Sequence, residues 1–119
     1  MRHGFAHEAT LTMAPDADDR APGAAVTAAI CGHWDHPGPC PRAPHHSAAV
    51  RAGDQLHLRV LFAAEPDAEA AVRADIAAAL AGGQLRHPDG ATTSWRLAAE
   101  QPSAVRPDER AHLARLVNG

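Results

Sequence analysis

The chain has no lysine, and its 11 basic residues are arginines scattered singly along 119 positions. No segment concentrates positive charge and the net charge is −3, so an electrostatic grip on nucleic acid is not expected. No apolar run approaches the roughly 18 residues needed to cross a bilayer, which argues against a membrane partner. The opening residues, Met1 to Glu8, lack the basic-then-apolar layout of a secretion signal, and a cytoplasmic location is the resulting expectation. Abundant Ala, Arg, Pro and Gly in place of Lys point to a GC-rich, bacterial coding sequence.

Large apolar side chains are also scarce. Val, Ile, Leu and Phe together number 19, against 29 alanines. That composition is thin for a globular core, yet the net charge is too small to hold the chain open. A single folded domain over residues 1–119 with a modest core follows. Cores of this size are commonly reinforced by a metal, a disulfide or a partner, here a second copy of the chain or another protein.

The pattern of side chains predicts an α+β fold. Residues 3–13 alternate, with His3, Phe5, His7, Ala9, Leu11 and Met13 on one face, as in a half-buried strand. Residues 24–31 resume alternation through Val26, Ala28 and Ile30, which predicts a second strand hairpinned to the first and ending at Cys31. Leu56, Leu58, Val60 and Phe62 give the clearest strand, with a short one over 47–52 before the Gly53-Asp54 turn. Val72, Ile76 and Leu80 form one stripe of a helix over 67–81, stopped by Gly82-Gly83. A hairpin around Pro88-Asp89-Gly90 and a helix from Pro107 complete the order β-β-β-α-β-β-α. The expected architecture is an antiparallel sheet of about five strands with two helices on one face.

Against this sparse background one segment is dense. The run C-G-H-W-D-H-P-G-P-C-P-R-A-P-H-H, residues 31–46, holds both cysteines and four of the nine histidines. Thiolate and imidazole are the ligands that zinc prefers. Four prolines between 37 and 44 stiffen the loop, which lowers the entropy lost on ordering around an ion. Cys31, His33, His36, Cys40, His45 and His46 are therefore the candidate ligands, in a Cys/His/Pro-rich loop at 31–47. The favoured set is Cys31, Cys40 and His33 with His45 or His46. Zinc is the expected ion, with copper or iron as alternatives. The function this implies is a small metal-binding protein with a structural or interaction role.

Two other readings use the same loop. His33-Trp34-Asp35 holds two members of a 2-His-1-carboxylate iron triad, and an open zinc position would activate water; either would make a metal-dependent enzyme. The alternative without metal is a dimeric interaction module with Cys31 and Cys40 as a thiol redox pair. His3 and His7, on the apolar face of the first strand, are read as buried, hydrogen-bonded histidines that could approach Cys31 if the predicted hairpin forms. His57, His87 and His112 read as surface residues, and Trp95 as core. There is no G-x-S-x-G, no P-loop and no dinucleotide fingerprint.

Overall fold

A chain so poor in large apolar residues places most of them on one side of one sheet. The computed structural model describes residues 1–31 and 43–118. Strand β1 (His3–Thr12) pairs antiparallel with both β3 (Gln55–Ala64) and β6 (Arg96–Ser103). β2 (His45–Ala52) pairs antiparallel with β3, giving the sheet order β2-β3-β1-β6. The helices are α1 (Ala21–Cys31), α2 (Glu69–Gly82) and α3 (Arg110–Asn118). A separate two-stranded ribbon, β4 (Gln84–Arg86) with β5 (Thr92–Ser94), lies between α2 and β6.

The α+β class and the antiparallel sheet agree with the sequence expectation; the wiring differs. β1 and β2 run parallel with β3 between them, and β3 and β6 run parallel with β1 between them. The sheet is thus two interleaved split β-α-β units. Residues 24–31 are the last eight of α1 rather than a strand. The residues that alternate also fit a helical stripe: Pro22, Val26 and Ile30 recur every four positions and all are buried. Pro22 sits in the first turn, where proline is tolerated, and the Asp18 carboxylate accepts the Arg20 N–H at 3.0 Å just before it.

The main core lies between the sheet and α1 with α2. Leu11 from β1, Leu56, Val60 and Phe62 from β3, Val26 and Ile30 from α1, and Val72, Ile76 and Leu80 from α2 are all buried there. Two helices do cover one face, but they are α1 and α2. α3 covers the opposite face, where Leu113 packs on Ala6 and Leu61 in a second small cluster. Period-two alternation explains the split, since Ala6 and Leu61 point away from Phe5 and Phe62. No described helix is long and apolar enough to cross a membrane.

α2 stops where Gly83 turns left-handed, at φ 73°. The turn lets Trp95 N–H reach the Gly83 carbonyl at 2.9 Å while its indole N–H reaches the Leu80 carbonyl at 2.9 Å. A Cβ at Gly83 would meet the Trp95 carbonyl oxygen at 2.9 Å. Gly83→Ala is therefore expected to destabilise the protein by about 1–3 kcal/mol, from steric overlap added to left-handed strain. Urea denaturation of the two proteins measures this; equal midpoints would refute it.

Candidate functional site

The structure places two of the loop's four histidines, His45 and His46. His45 and His46 are consecutive on β2, so their rings leave opposite faces of the sheet. On the α1 side, His45 Nδ1 lies 3.1 Å from the Ala43 carbonyl and Nε2 lies 2.8 Å from Thr27 Oγ1. The carbonyl can only accept, so Nδ1 donates to it. Thr27 has one hydroxyl proton and two acceptors in reach, His45 Nε2 and the Gly23 carbonyl at 3.1 Å. On the other face, the His46 ring stands 4.5 Å from that of His112 on α3. Cys31, at the end of α1, packs against the main core and is disulfide-bonded, so its sulfur is not a thiolate ligand. A disulfide, one of the reinforcements expected of so small a core, is thus present at this residue.

His33, His36 and Cys40, and with them the His33-Trp34-Asp35 tripeptide, lie outside the described residues. Among the described residues, no three His, Cys, Asp or Glu side chains are placed to hold a metal ion. The reading as a metal-binding protein, and with it the metal-dependent enzyme, is overturned on this finding. Of the candidates that can be placed, Cys31 is disulfide-bonded, His45 is engaged with Thr27 and the Ala43 carbonyl, and His46 leaves the opposite face toward His112.

Three of the other histidines, His7, His57 and His87, have structural partners. His7 is 3% exposed. Arg73 Nη1, which can only donate, lies 3.0 Å from His7 Nδ1, so the proton sits on Nε2 and points to the Glu100 carboxylate. Arg73 also donates to the Ala6 carbonyl and to Glu69, and its guanidinium lies over the Phe62 ring at 5.3 Å. The buried, hydrogen-bonded His7 inferred from sequence is thus present, tying β1 to α2 and β6. His3 is exposed, contrary to its placement on the apolar face, and α1 in place of a hairpin removes its proposed approach to Cys31. His57 shares a contact with Thr10 and His87 one with Thr93, while Trp95 is core as expected.

The open half of the sheet, opposite α1 and α2, is a saddle of about 530 Å³ lined by Glu8, Val50, His57 and Arg59 and walled by Glu109. Arg59 dominates it. Its guanidinium donates to both oxygens of Glu109, to Glu8, to Ser103 Oγ and to the Ala104 carbonyl. Glu109 in turn accepts the Arg106 N–H at 2.8 Å, which fixes the turn that starts α3. No local sequence pattern marks Arg59 as this hub; it arises from pairing three strands that are distant in sequence. A second cavity of about 440 Å³ lies between the first turns of α1 and β2, lined by Arg20, Thr27, His45 and Ser47. Ser47 Oγ is buried there with no hydrogen-bond partner among the described residues.

Among the described residues, the outer edge of β2 has no strand beside it. Its eight residues carry neither proline nor lysine, and Ala48, Ala49 and Val50 are exposed, Val50 at 65%. The opposite edge strand, β6, contains Pro102 and a register shift against β1 at Thr10/Leu11. Proline and irregularity are the usual means of blunting a sheet edge. Comparison with known proteins finds no match: no protein-family model, no curated protein and no solved structure resembles the chain.

Two outcomes test this geometry. Arg59 beside Glu109 holds that carboxyl at about 2, below its ordinary 4.5. A carboxyl depressed in the folded state stabilises above its unfolded value, and loses that stabilisation as pH falls from 4.5 through about 2. Glu109→Gln is expected to cost about 1–3 kcal/mol at neutral pH, and the difference should vanish near pH 2 in parallel urea titrations. On the same face, burial and then the neighbouring His112 lower His46 below its ordinary value of 6.5. Protonation is therefore disfavoured in the folded chain, and stability falls as pH drops below that value. Protection of the α3 amides, taken relative to their intrinsic exchange rates, should fall between pH 7 and 5, and His112→Phe should flatten that response; an unchanged slope would refute the pairing.

Proposed function

We propose that the chain is a protein-binding module that receives an extended segment of its partner along the outer edge of β2. The observation that carries this reading is the asymmetry of the two sheet edges: β6 is interrupted and β2 is not.

The hydrogen-bond parity of β2 supports it. β2 and β3 are joined by the two-residue loop Gly53-Asp54, with Gly53 at φ 65°. Such a loop makes its flanking residues, Ala52 and Gln55, a hydrogen-bonded pair. Even-numbered residues of β2 then bond to β3. At the other end Pro44, one step beyond the strand, accepts the Ala63 N–H at 2.9 Å, with the same parity. Ser47, Ala49 and Arg51 consequently direct their N–H and C=O groups outward. An added strand would take its main-chain bonds from these three residues. Its side chains would fall alternately toward the Thr27–Ser47 cavity on one face and the Val50 side of the saddle on the other.

Selection from a random peptide library, followed by NMR mapping, tests the reading. Bound peptides should shift the amides of Ser47, Ala49 and Arg51. Ala49→Pro should abolish the effect, because it removes an outward N–H that the monomer does not use. Peptides that bind elsewhere, or bind Ala49→Pro equally well, would overturn it.

A further inference from the structure

We infer that the segment received by β2 is β2 of a second copy of this chain, the two strands running antiparallel about a two-fold axis at Ala49. The inference rests on the reading of β2 as a receiving edge and names its partner.

The first argument is charge. Within His45–Ala52 the sole permanently charged residue is Arg51. Its guanidinium is drawn off the edge onto the α1 face, where it pairs with Asp19 at 2.9 Å and donates to the Ala14 and Ala17 carbonyls at 3.0 Å each. What remains at the rim is short and uncharged, Ser47-Ala48-Ala49-Val50, so a strand laid against its own copy meets no like charge. A strand from a highly charged partner would find no counter-charge there.

The second argument is symmetry. A two-fold axis perpendicular to a sheet pairs residues of the same face, so the numbers of opposed residues must add to an even total. Two registers near the strand centre satisfy this. Centring on Ala48 sets His45 of one copy against Arg51 of the other. Centring on Ala49 sets Ala49 against itself and Ser47 against Arg51 on the α1 face, with Ala48 against Val50 on the open face. In the second register the outward groups of Ala49 bond to each other across the axis, and exposed Val50 is covered by the small side chain of Ala48. The result is a continuous eight-stranded antiparallel sheet, built from two four-stranded ones.

One strand edge buries less than the roughly 1,200–2,000 Å² of a standard interface, so the association belongs to the weak class, with a dissociation constant on the order of micromolar or weaker. Sedimentation velocity over roughly 10 µM to 1 mM should show a concentration-dependent shift from monomer to dimer. In a mixture of isotope-labelled and unlabelled protein, inter-copy contacts should appear at Ala49. Val50→Lys, at a side chain outside the core, and Ala49→Pro should each raise the dissociation constant at least tenfold. A monomer across the whole range would overturn the inference, as would a dimer indifferent to both substitutions. If the chain stays monomeric while selected peptides still bind at Ser47, Ala49 and Arg51, the second copy is wrong and the receiving edge stands. If neither occurs, both fall.

Discussion

Everything else in this molecule hangs on the ten-residue antiparallel pairing of β1 with β3, from His3 opposite Ala64 to Thr12 opposite Gln55. The two strands are separated in the chain by α1 and β2, and their register decides which side chains meet on each face. Phe5 against Phe62, with ring centroids 5.4 Å apart, seeds the face that α1 and α2 cover. Ala6 against Leu61 makes the platform for α3. Glu8 against Arg59 places a carboxylate beside the guanidinium that also grips Glu109. A slip of one residue would exchange the faces and lose all three contacts together. With 19 large aliphatic and Phe residues to bury, the chain has little else to hold it in register.

Much of the fold was legible because its strongest periodicities are unambiguous. β1, β3, the Val72–Ile76–Leu80 stripe of α2 and the Pro107 opening toward α3 all lie where alternation, helical spacing and proline placement put them. α1 was misread for a specific reason. Its alanines carry almost no signal, and Val26 and Ile30 are compatible with period two and with a four-residue repeat alike. Pro22-Gly23 then reads as the end of a turn when it is the first turn of a helix. That one substitution of helix for strand turns a meander into two interleaved crossovers, and it also makes β2 an edge strand.

The candidate site was less legible. The Cys/His density of residues 31–46 is a statement about composition, and composition does not say which side of a strand a ring leaves from. The start of β2 at His45 settles that for the pair that can be placed, one ring going to Thr27 and the other to His112. The residues that organise the described surface, Arg59 and Arg73, stand at unremarkable positions in sequence. Each is defined by partners tens of residues away, and single-sequence reasoning has no access to that. The unblunted edge is likewise a property of strand order. Residues 47–52 were recognisable as a strand, but their outer neighbour, or lack of one, was not.

Arg51 connects two regions that otherwise have nothing in common. By reaching across to the 14–19 segment it fastens the connection between β1 and α1, and in the same act it withdraws the only fixed cation from the border of β2. Neutrality of that border is therefore conditional on an attachment made on the helix side. Loosening the attachment, by loss of Asp19 or by a displaced connection, would hand the guanidinium back to the rim and set equal charges facing one another wherever two such rims met. The anchoring of an internal connection thus governs how tolerant the molecule's margin is of its own kind.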